Sequence, residues 1–328
     1  MRIVFHGENA GTYVEGFTEL LPEVHDIAVL SDGLGRPGER EAFANAEVII
    51  GTRLNPSHPR PERVRLYQVA AAGYDGVDLS LLPGTAVVCN CFGHETAIAE
   101  YVMGGLLAIR TRLIEADRRL RERDWTFQAG RPTGLHRELT GTTLGLIGYG
   151  HIGKAIARRA KAFDLTIHVA NRSQTGEDEL VDRYWPLDQL GQFVETVDTI
   201  VVSLPLAATT TSLIDGALFA RMKRDAVVVN VGRGPVVDEA TLYDALRARK
   251  IAGALIDTWY VYPGKDDPAP HPSRLAFHEL DNVIMTPHMS AWTWGTIRRR
   301  QETMATNITR LGIRAPLLNI VRPAGTAT

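Results

Sequence analysis

The fold is decided by the stretch Thr143-Leu144-Gly145-Leu146-Ile147-Gly148-Tyr149-Gly150-His151-Ile152-Gly153-Lys154-Ala155-Ile156-Ala157. An apolar run typical of a strand ends in glycines spaced G-x-G-x-x-G, and an amphipathic helical pattern follows at once. In that context the spacing predicts a dinucleotide site. The first glycine permits a tight turn, the second lets the backbone approach a pyrophosphate, and the third lets helix and strand pack closely. Free N–H groups at the start of the helix favour the phosphates. The predicted cofactor-binding residues here are Gly148, Tyr149, Gly150, His151, Ile152 and Gly153.

The bulk composition is that of an ordinary globular protein. The 328 residues are 45% apolar and 23% charged, and this length suggests about two domains. A formal net charge of −2 favours neither nucleic acid nor an anionic membrane as a partner. No apolar run approaches the roughly 20 residues that span a bilayer. The first residues already predict a strand, so we expect no signal peptide. We expect a cytoplasmic enzyme. Cys89 and Cys91 lie too close for an ordinary disulfide, and no metal site is predicted.

The order of apolar runs predicts two α/β sheets. Short strand-like runs alternate with helix-compatible segments up to residue 92, which indicates a small parallel sheet. Those runs are Ile3–His6, Asp26–Leu30, Val48–Thr52, Val64–Ala70 and Ala86–Asn90. Six further runs separated by helical segments predict a doubly wound sheet. They begin at Thr143, Thr166, Thr199, Ala226, Gly253 and Asn282. A helical stretch over Trp294–Arg310 follows, and residues 316–321 are expected to return to the first domain.

Apolar residues at helical spacing run from His94 to about Glu122, which predicts one long helix ahead of the fingerprint. This helix is longer than one domain face usually needs, and the loop after it carries Trp125 and Phe127. Surplus apolar surface of this kind suggests a subunit interface. We therefore expect this helix and loop to contribute to an interface between subunits.

The residues after the second strand of the nucleotide sheet distinguish NAD from NADP. A carboxylate there, about 20 residues beyond the glycines, binds the ribose hydroxyls and repels a 2′-phosphate. Here Asn171 carries no charge, Arg172 supplies a planar cation, and Ser173 adds a hydroxyl suited to a phosphate. The predicted cofactor is NADP; the alternative is that Arg172 is a solvated surface charge and that both NADP and NAD bind.

Two motifs follow strand ends, where ligands of open α/β sheets bind. Asn230-Val231-Gly232-Arg233-Gly234-Pro235 places an arginine where its guanidinium can bind a carboxylate and polarise a neighbouring carbonyl. Met285-Thr286-Pro287-His288 places a histidine where it can exchange a proton with a substrate hydroxyl. A lone histidine is usually structural, but Arg233 and His288 together in a nicotinamide fold favour catalysis. A small-residue turn at residues 70–78 offers amides for a carboxylate, although that stretch alone favours a plain connection.

Together these motifs resemble the D-isomer-specific 2-hydroxyacid dehydrogenase family along nearly the full chain. The segments that carry the resemblance are Ala71-Ala72-Gly73-Tyr74-Asp75-Gly76-Val77-Asp78, Ala97-Ile98-Ala99-Glu100, the glycines from Gly148 to Gly153, Leu204-Pro205-Leu206, Asn230-Val231-Gly232-Arg233-Gly234, Asp257, and Thr286-Pro287-His288. The resemblance implies an α/β fold of two Rossmann-like domains. One is a central, doubly wound dinucleotide-binding domain over residues 97–290. The other is a smaller flavodoxin-like substrate domain over residues 1–96 and 291–328. A cleft between them and a homodimer held partly by the long helix are also implied.

The family's chemistry implies a hydride transfer between NAD(P) and C2 of a small acid. In the reducing direction Arg233 binds the carboxylate and carbonyl of a 2-oxo acid, and His288 protonates the developing alkoxide. Oxidation reverses each step. The amides of Ala72 and Gly73 hold the substrate carboxylate in that family, and Tyr74 lies beside them. The further cofactor contacts that the resemblance implies are Leu204, Pro205, Val231, Gly232, Asp257 and Ser290.

The chain departs from the family at the partner of the catalytic histidine. Members usually carry a glutamate, or in formate dehydrogenases a glutamine, five residues beyond the aspartate that corresponds to Asp257, whereas this chain has Tyr262. A phenol does not stabilise an imidazolium as a carboxylate does, so the pKa of His288 lacks its usual upward influence. Either Tyr262 is a neutral partner, or a nearby acid replaces the glutamate, or catalysis is weak. The nearby acids are Asp266, Asp267 and Glu279.

Two further positions are candidates for substrate recognition. Trp292 interrupts the small-residue run that follows the histidine in the family, and either lines the nicotinamide or substrate pocket or packs the two domains. Thr96, with His94 and Glu95, lies where the family's hinge faces the substrate, and helix capping is the alternative.

Three functions are consistent with the sequence. The leading hypothesis is an NADP-preferring 2-oxo acid reductase. The second is a dehydrogenase for an unusual anionic substrate, such as a phosphonate or a phosphorylated hydroxy acid. Tyr262 and the run Arg298-Arg299-Arg300 suggest it, although such a run is more often a solvated helix face. The third is a nicotinamide-binding regulatory protein with weak or lost catalysis.

Overall fold

The computed structural model describes residues 1–172, 178–264 and 266–325, and the chain divides into two compact units. Unit 1 consists of Met1–Gly93 and Trp292–Thr328, and unit 2 of His94–Ala291. Unit 1 thus combines both ends of the chain, while unit 2 is one continuous segment. Within the ranges that the structure describes, every helix is too short or too polar to cross a membrane.

Strands and helices alternate along most of the described chain. The strands are β1 (Arg2–His6), β2 (Asp26–Leu30), β3 (Val48–Gly51), β4 (Leu66–Val69), β5 (Val87–Cys89), β6 (Thr143–Ile147), β7 (Thr166–Asn171), β8 (Arg183–Pro186), β9 (Thr199–Val202), β10 (Val227–Asn230), β11 (Gly253–Ile256), β12 (Val283–Met285) and β13 (Ile320–Arg322). The α-helices are α1 (Glu8–Gly11), α2 (Glu39–Ala44), α3 (Glu95–Arg110), α4 (Leu113–Arg121), α5 (His151–Lys161), α6 (Leu190–Thr196), α7 (Gly216–Phe219), α8 (Glu239–Arg247) and α9 (Trp294–Gly312).

The sheet of unit 1 has the strand order β13-β5-β4-β3-β1-β2. Strands β1 to β5 are parallel, and β13 pairs antiparallel with β5 at the edge. Strand β3 is a continuous apolar run with every residue buried, as expected for a strand covered on both faces. One layer of the core contains Met304 and Ile308 of α9, and another contains Phe43 and Tyr67. The predicted return of residues 316–321 to the first domain is confirmed, and the structure adds that β13 pairs with its sheet.

The sheet of unit 2 has the parallel strand order β12-β11-β10-β9-β6-β7-β8. From β6 the chain runs outward in one direction through β7 and β8, and then in the other direction from β9 to β12. The carboxyl ends of β6 and β9 flank this reversal and form the edge where such sheets bind ligands. The predicted doubly wound sheet is confirmed, and the glycine-rich turn follows β6, the strand from which the two directions diverge.

One strand of unit 2 was not predicted. In the described residues this sheet has seven strands rather than six, because Arg183–Pro186 forms the edge strand β8 beside β7. Its sequence, Arg-Tyr-Trp-Pro, begins with a charge and ends with a proline. So short a segment gives no alternating pattern, and proline normally argues against a strand away from a sheet edge.

The prediction of a single helix from His94 to Glu122 is wrong. Between α3 and α4, Arg112 has a φ of +56°, a left-handed conformation that interrupts a right-handed helix. Neither glycine nor proline marks this position, so the sequence carried no signal for the break. Beyond it, Leu113 and Ile114 are 61% and 56% exposed. Their apolar side chains therefore belong to the surface of unit 2 and not to its core.

Candidate active site

The glycine-rich turn after β6 has the conformation that the spacing predicted. Gly148 has a φ of +97°, and a Cβ there would lie 3.0 Å from Leu204 Cδ2. A Cβ on Gly153 would lie 2.6 Å from the carbonyl oxygen of Gly148, so glycine is needed for helix and turn to pack closely. At Gly150 the Cβ position faces open space, and α5 begins at the next residue, His151. Open backbone beside a helix N-terminus fits a dinucleotide pyrophosphate.

The residues predicted to distinguish NAD from NADP lie at the end of β7. Asn171 is the last residue of β7 and partly buried, and Arg172 is exposed. Ser173 lies outside the described residues. On the far side of residues 173–177, the Asp178 carboxylate accepts a hydrogen bond of 2.9 Å from the Tyr149 hydroxyl. Tyr149 therefore ties Asp178, which precedes β8, to the glycine-rich turn.

His288 lies just past β12 in a turn built on Asp257. The buried Asp257 carboxylate accepts hydrogen bonds from Thr286 Oγ1 at 2.6 Å, from the Met289 amide at 2.9 Å and from the Ser290 amide at 3.0 Å. These bonds support His288 at a φ of +57°, which histidine adopts more readily than most residues. Bonds from N–H groups to a carboxylate are charge-assisted, so Asp257 fixes the backbone from which the imidazole projects. Cofactor contact by Asp257 and Ser290 stays a prediction.

The partner of the His288 imidazole at Nδ1 is Tyr262, whose Oη lies 3.0 Å away. The Trp259 amide donates to Tyr262 Oη at 3.1 Å, and the Trp259 indole donates to the Thr286 carbonyl at 2.8 Å. Trp259 therefore positions both the phenol and the histidine turn. Sequence reasoning missed Trp259 because a buried tryptophan after a strand is usually a packing residue.

Two of the three acids considered as substitutes for the missing glutamate, Asp267 and Glu279, make other contacts. Asp267 Oδ1 accepts a hydrogen bond from the Ala269 amide at 3.2 Å, and Glu279 lies 4.0 Å from His278. In the parts of the chain that the structure describes, which include Asp266, His288 forms no ion pair with any of the three. The geometry thus favours a neutral phenol as the partner.

A phenol serves an acid–base histidine differently from a carboxylate. Its oxygen can accept the Nδ1 proton of an imidazolium, and its hydroxyl can donate to Nδ1 of a neutral imidazole, so both states keep a partner. Burial raises the pKa of Tyr262, which keeps the phenol neutral. The pKa of His288 lies below its ordinary value, chiefly because desolvation disfavours the imidazolium, while Asp257 raises it and Arg233 lowers it. A neutral imidazole is therefore the resting state at neutral pH.

Arg233 lies just past β10 in an extended conformation, with φ −140° and ψ 140°. The Asn230 side chain spans its loop: Nδ2 donates to the Arg233 carbonyl and Oδ1 accepts from the Gly232 amide, both at 3.1 Å. A Cβ on Gly232 would lie 2.6 Å from the Leu204 carbonyl oxygen. The loops after β9 and β10, which carry predicted cofactor residues Leu204, Pro205, Val231 and Gly232, therefore lie side by side in unit 2.

The turn after β4 in unit 1 has three consecutive carbonyls, from Ala70 to Ala72, that accept hydrogen bonds. The donors, at 2.7–3.2 Å, are Tyr13 Oη and Arg300 Nη1 for Ala70, the Cys91 amide for Ala71, and Asn90 Nδ2 for Ala72. Each N–H of a trans peptide lies opposite its C=O, so the amides of Ala72 and Gly73 point away from these donors. Neither amide has an acceptor within residues 1–172, 178–264 and 266–325. Unbonded successive amides suit a carboxylate.

The other predicted substrate residues lie on the surface of their own units. In unit 1, Tyr74 is 42% exposed, and Trp292 is 46% exposed and packs edge-on against Tyr13 with ring centroids 6.1 Å apart. In unit 2, exposed Thr96 and the predicted cofactor residue His151 line a depression of about 560 Å³. Helix α3 begins at Glu95 without a side-chain cap from His94. Substrate contact by Tyr74, Trp292 and Thr96 stays a prediction.

Comparison with known proteins identifies the family. Residues 103–290 match the family model described as D-isomer specific 2-hydroxyacid dehydrogenase, NAD binding domain. The chain belongs to this family. Relatives of this dehydrogenase include the glyoxylate reductase of Pyrococcus furiosus, which is 31% identical over 88% of this chain and 81% of the relative. Glyoxylate/hydroxypyruvate reductase B of Salmonella typhi is 33% identical over 78% of each chain.

A solved structure extends the similarity to the whole chain. The NADPH-dependent glyoxylate/hydroxypyruvate reductase from Sinorhizobium meliloti, in complex with NADP and malonate, covers 100% of this dehydrogenase and 99% of its own chain. The TM-score is 0.78 at 27% sequence identity. These comparisons confirm the predicted α/β fold, the nicotinamide cofactor and the enzyme class, an NAD(P)-dependent oxidoreductase of 2-hydroxy acids. The roles of individual site residues stay predictions.

Proposed function

We propose that this dehydrogenase reduces small 2-oxo acids at the expense of NADPH, with glyoxylate and hydroxypyruvate as the first substrates to test. The observation that carries the proposal is the His288 turn. Tyr262 binds Nδ1 of the imidazole at 3.0 Å, and Nε2 has no hydrogen-bond partner in the described part of the chain. A histidine held in this way presents Nε2 to a substrate oxygen. The names of the relatives, glyoxylate and hydroxypyruvate reductases, support the choice of acids.

The proposed roles follow from charge and proton balance. Bound NADPH supplies the hydride that C2 of the 2-oxo acid accepts. Arg233 binds the carboxylate and carbonyl oxygens and stabilises the negative charge that develops on the carbonyl oxygen. His288 Nε2 gives that oxygen a proton, and the proton that remains on Nδ1 stays bonded to Tyr262 Oη. In the direction of oxidation His288 is the base. The amides of Ala72 and Gly73 bind the substrate carboxylate.

The test is the loss of NADPH absorbance with glyoxylate, hydroxypyruvate and a series of bulkier 2-oxo acids. We expect turnover with at least one small acid. Tight NADPH binding without turnover of any acid would refute the proposal and favour a regulatory protein. Turnover confined to phosphonates or phosphorylated acids would favour the second hypothesis.

We predict that the residue at position 262 influences the pH at which reduction becomes slower. The acid form of His288 is needed for reduction, and its pKa is lowered, so kcat/KM is expected to fall as pH rises through a value below the ordinary histidine range. Tyr262→Glu places a carboxylate at Nδ1, which favours the imidazolium. We expect the fall in kcat/KM to move to higher pH by about one pH unit or more. Tyr262→Phe is the control without a charge, and equal profiles for the Glu and Phe variants would contradict the prediction.

We predict that Arg172 causes a preference for NADPH over NADH. Its exposed guanidinium follows β7, where a 2′-phosphate is expected. We expect wild-type kcat/KM to be at least about tenfold higher with NADPH than with NADH, and Arg172→Ala to remove most of this preference by raising the KM for NADPH. Arg224→Ala is the matched control. Exposed Arg224 lies just before the amino end of β10, whereas Arg172 lies just past the carboxyl end of β7. Equal use of both cofactors by the wild type would refute the role of Arg172.

We further propose the roles of the two parts of the chain and their assembly. The family match supports residues 97–290 as the dinucleotide domain, and residues 1–96 and 291–328 are then the substrate domain. A homodimer through α4 and the loop after it is supported by large exposed side chains, which are Leu113, Ile114, Leu120, Trp125 and Leu135. Sedimentation at the mass of one chain would contradict it.

Free thiols at Cys89 and Cys91 and the use of NADPH support a cytoplasmic location, which cell fractionation tests.

A further inference from the structure

The run Arg298-Arg299-Arg300 in α9 falls into three different environments. Arg298 is exposed and pairs with Glu302 at 3.0 Å. Arg299 Nε donates to the Gly93 carbonyl at 2.7 Å. Arg300 is 7% exposed and lies in the interior of unit 1. The run is therefore not a uniformly solvated helix face, because its third cation is buried.

Arg300 is a buried cation without a counterion among the described residues. Its Nη1 donates to the Tyr13 hydroxyl and to the Ala70 carbonyl, each at 3.1 Å. Both acceptors are neutral. In the same ranges of the chain Arg300 takes part in no ion pair, and its Nε has no hydrogen-bond partner. A buried charge is costly unless an opposite charge pairs with it. The folded chain therefore keeps an unbalanced positive charge at this position.

This charge lies behind the turn whose amides are unbonded. Arg300 Nη1 binds the Ala70 carbonyl, whose peptide group carries the Ala71 amide, and the unbonded amides of Ala72 and Gly73 belong to the next two peptide groups. Arg300 therefore acts on these two amides through the field of its charge, which low-dielectric surroundings strengthen. The guanidinium charge and the N–H dipoles therefore act in the same sense, and both favour an anion at the turn.

We propose that Arg300 is the built-in countercharge for the substrate carboxylate. It acts as a positioning residue, because it holds the Ala70–Gly73 turn in place and attracts the anion to the amides without touching it. The proposal rests on the proposed function, which assigns the substrate carboxylate to this turn. A carboxylate bound there supplies the negative charge that the folded chain lacks.

The test is Arg300→Met, which keeps an unbranched side chain and removes the charge. The Ala70 carbonyl retains the Tyr13 hydroxyl as a donor at 3.2 Å, so neither buried group is left without a hydrogen bond. We expect the KM for glyoxylate to rise about tenfold, with kcat changed less than about threefold and the KM for NADPH unchanged. The midpoint of thermal unfolding is expected to stay the same or rise, because an unpaired buried charge has been removed.

Two further variants separate charge from packing. Arg298→Met removes an exposed charge from the same helix and should leave the KM for glyoxylate at its wild-type value. Arg300→Lys keeps the positive charge but lacks the planar guanidinium group, and its KM for glyoxylate should stay within about threefold of the wild type. An unchanged KM in Arg300→Met would overturn the inference. So would a tenfold rise in Arg300→Lys, and this second outcome holds even if the methionine variant does not fold.

Binding of oxalate, an unreactive carboxylate, tests Arg300 independently of turnover. Titration calorimetry should give a dissociation constant about tenfold weaker for Arg300→Met than for the wild type and for Arg298→Met. Equal affinities in all three proteins would overturn the inference. A wild type that binds oxalate in this pattern but reduces no 2-oxo acid would leave Arg300 as the countercharge and would refute the proposed function instead.

Discussion

Replacing His288 by asparagine is expected to lower kcat for glyoxylate reduction by about 10² to 10⁴-fold, the usual contribution of a positioned general acid. The KM for NADPH is expected to stay constant. Asparagine is preferred to alanine for this test because His288 has a φ of +57°, and asparagine tolerates the left-handed region at less cost. The Asp257 bonds to the turn use main-chain amides of Met289 and Ser290, so they survive the substitution. Steady-state kinetics and thermal unfolding of the same preparation provide the measurement.

His278→Asn is the matched control for the loss of a histidine. His278 lies in a one-turn 3-10 helix of unit 2 (Phe277–Glu279), stacked on His271 with ring centroids 4.1 Å apart, and its loss should leave kcat at the wild-type value. A His288→Asn enzyme with kcat close to that of the wild type would mean that another group transfers the proton.

Replacing Arg233 by alanine is expected to lower kcat/KM for glyoxylate by at least about 10³-fold, because both substrate binding and stabilisation of the developing charge are lost. Arg233→Lys keeps the charge but not the fork, and we expect it to remain at least about tenfold below the wild type. The backbone at Arg233 is extended, so alanine and lysine both fit without strain. The Asn230 side chain bonds to main-chain atoms of the loop and keeps its shape in both variants.

Chemical rescue and a control variant would check this assignment of Arg233. Added guanidinium ion is expected to restore part of the activity of Arg233→Ala and to leave His288→Asn unchanged. Arg247→Ala, at the exposed end of α8 beside Asp244, is the control for a lost surface charge. Wild-type activity in Arg233→Lys would show that a point charge is sufficient and that bidentate binding plays no part.

Much of the fold could be predicted because strong local signals agree with the tertiary structure. The strand Asp26–Leu30 was predicted with its observed bounds, and the three glycines of the turn after β6 each have the environment that their spacing implies. Strand β8 and the break at Arg112 could not be predicted. The first is a four-residue edge segment held by pairing with β7, and the second depends on a backbone conformation that an arginine does not reveal.

The candidate site could be predicted where a single side chain, a guanidinium or an imidazole, performs the chemistry. Arg233 and His288 follow strand ends, and parallel strands bring such ends to one edge of a sheet. The supporting residues were not predictable, since Trp259 acts through an amide and an indole that bond to separate parts of the chain. Nor does a run of three arginines reveal which of them is buried. That difference depends on the orientation of α9 against the turn after β4.

The turn after β4 has a consequence for how specificity can evolve. Its proposed contact with the substrate consists of peptide N–H groups, which neither ionise near neutral pH nor change when a side chain is exchanged. Affinity for the acid group should therefore be nearly constant with pH, while turnover follows the ionisation of His288. Among side-chain exchanges at Ala72 or Gly73, proline alone would delete a donor. New substrates can thus arise by changes in the surrounding side chains, while the contact that these amides make with the shared carboxylate survives most substitutions at Ala72 and Gly73.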